Sequence, residues 1–153
     1  AWIAQSQAAG EATFPMPTDP RYRAECGSCH TSYAPGLLPA RSWNKMMAKL
    51  DKHFGEDASL DDATRQALTL ELVRLAADSA AATPLMRRIA GAFAPGATPQ
   101  RISDSPFFRY MHDEVPTSIW RRASIGSPAN CGACHTRAEE GRYSEREVRI
   151  PRQ

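Results

Sequence analysis

Apolar residues recur at helical spacing in several short stretches of the chain. Between residues 42 and 54, apolar side chains lie three or four positions apart, at Trp43, Met46, Met47, Leu50 and Phe54. This period predicts a helix over 42–54, with Ser42 as its N-cap and Gly55 just beyond its end. His53 lies on the apolar face of this predicted helix, at its C-terminal end.

Capping residues and prolines mark the starts of further helices. They predict helices over about 60–80, 83–90, 105–112 and 116–120, and short helices carrying the segments near 24–30 and 127–135. No stretch of useful length alternates as a strand would. The chain is therefore predicted to be mainly α.

The segment 91–100, rich in Gly, Ala and Pro, is the clearest linker in the sequence. We therefore predict two small modules, an N-terminal one over 1–95 and an irregular, helical C-terminal one over 96–153. Residues 1–20 lack periodicity and are predicted to form an extended or loosely helical lead-in.

Composition limits the classes of protein that this chain can represent. The 153 residues suffice for one ordinary domain or two very small ones, and a hydrophobic fraction of 42% with 24% charged residues is typical of a folded chain. No apolar run is long enough to cross a bilayer. A net charge of +2 disfavours a nucleic-acid partner. The chain begins at Ala1 without a basic and apolar leader, so we expect a signal peptide to have been removed.

All four cysteines fall in two copies of the pattern Cys-x-x-Cys-His. The copies comprise Cys26, Cys29 and His30, and Cys131, Cys134 and His135. This pattern is typical of c-type haem attachment. Two thiols on one turn can add to the two vinyl groups of a porphyrin, and the histidine that follows is placed under the iron as its axial ligand. The sequence therefore predicts two haem c groups.

Three other uses of the cysteines were weighed against haem attachment. A thioredoxin-like dithiol requires a βαβ pattern, which this sequence lacks. A shared zinc site requires closer ligands than two pairs separated by about a hundred residues. Two ordinary disulfides are compatible with an oxidising compartment. Two copies of the full motif, which together use every cysteine, favour haem over all three.

Each haem iron needs a second axial ligand or retains an open position. The remaining histidines, His53 and His112, favour bis-His ligation of both irons. Sequence proximity assigns His53 to the first haem and His112 to the second, with crossed pairing as the alternative. The other candidate ligands are the methionines Met16, Met46, Met47, Met86 and Met111.

Two groups of side chains near these motifs have more than one interpretation. Five aromatic residues are expected to pack on the haems or to form ordinary core: Trp43, Phe54, Phe107, Phe108 and Trp120. An acidic run beside His53 is either a solvated helix start or a docking face for a basic redox partner. The run comprises Asp51, Glu56, Asp57, Asp61 and Asp62.

Four stretches resemble the DHC-type dihaem cytochromes c: LPARSW (38–43), HFGEDASLD (53–61), YMHDEV (110–115) and SPANCGACH (127–135). The resemblance covers roughly residues 24–151. It implies a small bacterial periplasmic protein with two covalently bound, bis-His, low-potential haems. It also implies an N-terminal module like class I cytochromes c and an unusual C-terminal haem module. By position, one haem would be served by Cys26, Cys29, His30 and His53, and the other by Cys131, Cys134, His135 and His112.

The function expected from this resemblance is one-electron transfer rather than catalysis. The family is associated with an SHP-type, oxygen-binding monohaem cytochrome c as electron acceptor, and a membrane b-type cytochrome is the expected donor. The alternative is a dihaem peroxidase or a gas-binding haem protein, each of which needs one displaceable axial ligand. Dihaem peroxidases are also much longer chains.

Overall fold

The computed structural model describes residues 12–153, and in this part of the chain helices dominate. The α-helices are α1 (Pro20–Cys26), α2 (Ala40–Met47), α3 (Asp62–Arg74), α4 (Pro84–Gly91), α5 (Pro106–Met111) and α6 (Thr117–Trp120). Short 3-10 turns lie between and after them, at Pro35–Leu37, Leu50–Lys52, Ile102–Asp104, Cys131–Ala133, Ala138–Glu140 and Glu145–Glu147. The prediction of a mainly α chain is confirmed. Residues 1–11 of the predicted lead-in lie outside the described residues.

Local capping explains where four of the described helices begin. Oxygen atoms of the N-cap side chains of α1, α3, α4 and α5 accept backbone N–H groups of the first turn; these caps are Asp19, Asp61, Thr83 and Ser105. Proline follows the cap directly in α1, α4 and α5, where its fixed φ favours the helix and its missing N–H is not needed. The helices predicted near 83–90 and 105–112 are therefore present as α4 and α5.

The helix predicted over 42–54 is wrong in its second half. Helix α2 ends at Met47, a 3-10 turn follows at Leu50–Lys52, and His53 has an extended backbone with φ −82° and ψ 91°. The carbonyl of Leu50 accepts the N–H of Ala58 at 2.8 Å, a bond that a continuous helix would not allow. The apolar residues are thus divided between helix α2 and the 3-10 turn Leu50–Lys52, and His53 lies on the turn that follows.

The predicted helices at 60–80 and at the two cysteine motifs are also shorter than expected. Helix α3 ends at Arg74, because Ala77 donates its N–H to the carbonyl of Leu38 at 2.9 Å rather than to its own helix. Helix α1 ends at Cys26, the first residue of its motif. The second motif lies on the 3-10 turn Cys131–Ala133 instead of on a helix.

Most of the buried apolar side chains belong to the N-terminal region, residues 12–95. Helix α2 packs on α3 around a first cluster that comprises Tyr22, Leu38, Trp43, Met47, Leu68, Leu72 and Ala76. A second cluster comprises Phe14, Ala34, Ala77, Ala82, Met86 and Ile89. In the C-terminal region, residues 96–153, the buried residues are Ser105, Ile125, Ala138 and Gly141.

Hydrogen bonds join the two regions at the ends of the described chain. Thr13 and Arg142 form an antiparallel bridge, in which the Phe14 N–H donates to the Gly141 carbonyl at 2.8 Å. The predicted division near residue 95 stays a prediction, and these contacts cross it. Among the helices described here, none is long and apolar enough to span a membrane.

Candidate haem sites

The four histidines lie in two pairs. The ring centroids of His30 and His53 are 6.2 Å apart, and those of His112 and His135 are 6.1 Å apart. Two imidazoles on opposite sides of one metal ion each hold a nitrogen about 2 Å from the metal, so their ring centroids lie about 6 Å apart. Both pairs therefore have the separation that two axial ligands of one haem iron require. The planes of the rings are inclined by 34° in the first pair and 80° in the second.

In the first site, His30 is oriented by the residues that follow it. Its Nδ1 lies 2.7 Å from the carbonyl oxygen of Thr31, which accepts the Nδ1–H and leaves Nε2 free for a metal. The Tyr33 ring stacks on the His30 ring, with centroids 4.7 Å apart and planes inclined by 19°. Backbone and aromatic contacts together fix this imidazole.

His53 is placed by a tight turn. The backbone N–H of His53 donates to the Glu56 carbonyl at 2.8 Å, and the backbone N–H of Glu56 donates to the His53 carbonyl at 3.0 Å. Both central residues, Phe54 and Gly55, have positive φ angles of 51° and 87°, as in a type I′ turn. Burial, followed by the nearby His30, lowers the pKa of His53, which favours the neutral imidazole that binds metals.

In the second site, His112 follows directly on helix α5. Its Nδ1 lies 2.7 Å from the carbonyl oxygen of Phe108, one helical turn earlier. The Phe108 ring stacks on it at 4.0 Å, and the Trp120 ring lies 6.0 Å away. A helix end, a hydrogen bond and two aromatic rings therefore hold this side chain.

His135 completes the second pair from the opposite side. The backbone N–H of His135 donates to the Cys131 carbonyl at 2.8 Å, and His135 forms an antiparallel bridge with Val148. The Tyr143 ring lies 5.1 Å from its ring. Burial, followed by the neighbouring His112, lowers the pKa of His135. The surroundings of His135 thus also favour the neutral imidazole.

The four cysteines are free thiols in the structure. Burial raises the pKa of Cys26 and of Cys131 to about 11, and it also raises the pKa of Cys134. The first cysteine of each motif is therefore a neutral, partly buried thiol that precedes its motif histidine by four residues. Residues 12–153 hold no cluster of three or more His, Cys, Asp or Glu suited to a metal ion. A porphyrin supplies four nitrogen ligands of its own, so paired imidazoles with adjacent thiols fit haem c.

A short segment after His30 connects the two motifs. Thr31 Oγ1 accepts the N–H of Gly132, which lies between the cysteines of the second motif, at 3.2 Å. The Ser32 N–H donates to Glu139 Oε1 at 3.0 Å, and the Tyr33 hydroxyl donates to the Ala129 carbonyl at 2.7 Å. The segment 31–33 therefore contacts the second motif and both of its flanks, and it fixes the two sites relative to each other.

The structure separates the aromatic residues that sequence reasoning grouped together. Phe54, Phe108 and Trp120 lie beside the histidine rings, whereas Trp43 is buried in the first core cluster and Phe107 packs on the second. Tyr33 and Tyr143 contact His30 and His135 but were missed. Tyr33 follows the first motif by three residues, which is the clue that the sequence offered.

The candidate methionines lie mostly in the core rather than beside the histidine pairs. Met47 and Met86 are buried in the two clusters, Met16 and Met46 pack against them, and Met111 is 42% exposed. Met111 precedes His112 and, on a helix, points about 100° away from it.

Comparison with known proteins places this chain in a family. The family profile of the dihaem cytochromes c, DHC, matches residues 22–143. No curated protein gives a significant match. A diheme cytochrome c from Rhodobacter sphaeroides is 46% identical with a TM-score of 0.73, over 84% of this chain and 98% of its own.

A second solved structure, the diheme cytochrome c of Shewanella baltica, is 36% identical. Its TM-score is 0.71, over 90% of this chain and 96% of its own. The sequence, the fold and the paired histidines are therefore all consistent with a dihaem cytochrome c. The chain belongs to the DHC family of dihaem cytochromes c, electron carriers with two c-type haems.

Proposed function

We propose that this protein is a one-electron carrier in which both haem irons have two histidine ligands. In the first site, the haem is attached through Cys26 and Cys29 and ligated by His30 and His53. In the second, it is attached through Cys131 and Cys134 and ligated by His135 and His112. The observation that carries this proposal is the separation of about 6 Å between the rings in both pairs.

When bound, the haem supplies the one-electron change at iron, and the chain controls its surroundings. Hydrogen bonds from Nδ1 of His30 and His112 to backbone carbonyls orient these imidazoles and increase their basicity. Histidine in place of methionine as second ligand avoids the higher potential that His/Met ligation gives. Two occupied axial positions leave no iron position for a substrate, which favours electron transfer over catalysis.

The segment 31–33 supports electron transfer between the two haem sites. Its bonds to Ala129, Gly132 and Glu139 hold the second motif against the residues that orient His30. Sites held by packing and hydrogen bonds keep their geometry. Electrons can therefore pass between the haems without a rearrangement of the chain.

We further propose that the protein works in the periplasm, with an SHP-type monohaem cytochrome c as acceptor and a membrane b-type cytochrome as donor. The resemblance of 38–43, 53–61, 110–115 and 127–135 to the family supports these partners. The acidic residues near His53 are exposed: Asp51, Glu56, Asp57, Asp61 and Asp62. An exposed acidic surface next to one site favours docking of a basic partner there.

The visible and EPR spectra of the oxidised protein, followed by reduction with and without carbon monoxide, test the ligation. We expect two low-spin haems, no methionine charge-transfer band and no rapid spectral shift with carbon monoxide. A high-spin fraction, or one haem that takes up carbon monoxide at once, would favour a peroxidase or a gas-binding protein instead.

Replacement of the second ligands assigns each pair. His53→Ala should give a high-spin, carbon-monoxide-binding iron in the first site only, because His53 is paired with His30. His112→Ala is the matched variant and should change only the second site. A spectrum that stays fully low-spin in His53→Ala, without added imidazole, would contradict the assignment.

A further inference from the structure

The two proposed second ligands, His53 and His112, are held in different ways. His112 has a hydrogen bond from Nδ1 to the Phe108 carbonyl and a ring stacked on it at 4.0 Å. The His53 ring forms no hydrogen bond to another residue of 12–153, and the His53 backbone lies on a turn rather than at a helix end. Its ring therefore depends on neighbouring side chains for its position.

The side chain next to it, Phe54, supplies the aromatic contact. The Phe54 ring meets the His53 ring edge to face, with centroids 4.9 Å apart and planes inclined by 69°. The guanidinium carbon of Arg101 lies 4.5 Å from the centroid of the Phe54 ring, within the range of a cation–π contact. Arg101 belongs to the C-terminal region, so this contact joins the two regions over the first site.

The backbone conformation of Phe54 disfavours a bulky side chain, so the contacts of the ring must compensate for it. Phe54 has a φ of 51° at the first central position of a type I′ turn, where Asn, Asp or Gly is preferred. A bulky side chain at positive φ is unfavourable. In the protein alone, Phe54 is 48% exposed, so it adds little to the core that the chain itself forms. The turn would be more stable with Asn, which lacks the ring.

We propose that Phe54 and Arg101 form a clamp that holds His53 on the first haem, and that loosening this clamp makes the first site accept a small uncharged ligand such as carbon monoxide. This inference rests on the proposed bis-His ligation of that site. Phe54 and Arg101 are positioning residues, since they act on the iron only through His53. His112 has its own anchors and is unaffected.

The test is the rate at which carbon monoxide binds to the reduced holoprotein, in which His53 must leave before the ligand enters. Arg101→Gln removes the cation and should raise this rate about two- to fivefold at one haem of the two, as loss of an exposed cation–π contact implies. Phe54→Asn removes the ring as well and should raise the rate further. Because Asn tolerates positive φ, the midpoint of thermal unfolding should be unchanged or higher.

Arg88→Gln is the matched control. Arg88 lies 5.8 Å from the Phe107 ring, and neither residue contacts a histidine ring in the structure. This variant should leave the rate unchanged. A role of Phe54 in folding alone would lower the unfolding midpoint of Phe54→Asn without changing the rate, and that result would overturn the clamp.

The wild-type protein separates failure of the clamp from failure of the proposed function. The clamp alone would be overturned if the wild type has two low-spin haems and the variants at Phe54 and Arg101 bind carbon monoxide as slowly as the wild type does. An equal acceleration in Arg88→Gln would do the same. A wild type whose first haem is already high-spin would overturn the bis-His proposal and the clamp together.

Discussion

The two regions of the molecule hold their histidine pairs at almost the same separation but by different means. In the N-terminal region, which carries His30 and His53, the chain also buries two clusters of apolar side chains, with α2 packed on α3. In the C-terminal region, helices α5 and α6 contain no buried residue. Turns, backbone hydrogen bonds and contacts with the N-terminal region support the second pair instead.

This difference indicates what the cofactor contributes to each region. The C-terminal region buries only four residues, and small domains with so little core commonly depend on a cofactor or a cross-link for stability. In the C-terminal region, Phe108 and Trp120 surround His112 but remain partly exposed in the protein alone. A haem placed between His112 and His135 would cover these rings and would itself supply most of the core of this region.

The largest expected effect follows from removing one haem attachment at a time. In Cys131→Ser/Cys134→Ser, we expect α5 and α6 to lose most of their amide protection, because neither helix contains a buried residue and only Phe107 packs on a core cluster. In the matched variant Cys26→Ser/Cys29→Ser, α3 should stay protected by Leu68 and Leu72. Hydrogen exchange measured by mass spectrometry checks both. Protection of α5 without the second haem would remove the distinction between the regions.

A smaller effect is expected where the regions are joined. Gly141 has a φ of 75°, and a Cβ there would lie 2.2 Å from the Phe14 carbonyl oxygen. Gly126 has a φ of 77°, and a Cβ there would meet nothing within 4 Å. Both substitutions by Ala should cost about 1–3 kcal/mol from backbone strain.

Gly141→Ala should cost about 1 kcal/mol more than Gly126→Ala, because it also disrupts the Phe14–Gly141 hydrogen bond. Denaturant unfolding of the holoproteins measures the difference in the free energy of unfolding. Equal losses would mean that the bridge between the regions contributes nothing to stability.

The smallest expected effect concerns the loss of folding stability at acidic pH. Hydrogen bonds from the N–H and hydroxyl of Thr64 lower the pKa of Asp61 from its ordinary value of 3.8. The unfolded chain therefore binds more protons in the window just below this value, so stability present at higher pH is lost as the pH falls. Hydrogen bonds from Arg21 and Ser59 lower the pKa values of Asp19 and Asp57 in the N-terminal region, and a hydrogen bond from Arg137 lowers that of Glu140 in the C-terminal region.

Asp61→Asn keeps an N-cap that accepts hydrogen bonds but cannot titrate. Its unfolding midpoint should decline less steeply than that of the wild type between neutral pH and pH values below 3.8. An identical decline in both proteins would show that this carboxylate does not contribute to acid sensitivity.

Local chemistry explains the parts of the fold that the sequence predicted correctly. Helices α4 and α5 begin where a capping side chain precedes a proline, at Thr83 and Ser105. The end of α2 was not predictable, because the bond between Ala58 and Leu50 depends on the turn after His53. The same holds for α3, which ends where Ala77 bonds to the distant Leu38.

The candidate site shows the same division between local and distant information. The motif spacing identified the cysteines and their adjacent histidines, and elimination named His53 and His112. The contacts that orient them were not visible in the sequence. Thr31 meets Gly132, and Phe54 meets Arg101, across long stretches of chain. Nothing in the residue types at these positions specifies such pairs.

The bridge between Thr13 and Arg142 has a consequence for the speed and order of folding. It closes almost the whole described chain into one loop. Bringing together residues so distant in sequence costs more chain entropy than closing a helix or a turn, and contacts of this kind slow folding. We therefore expect helices with local caps to form early and the pairing of Thr13 with Arg142 to come last. Strengthening this bridge should slow unfolding more than it accelerates folding.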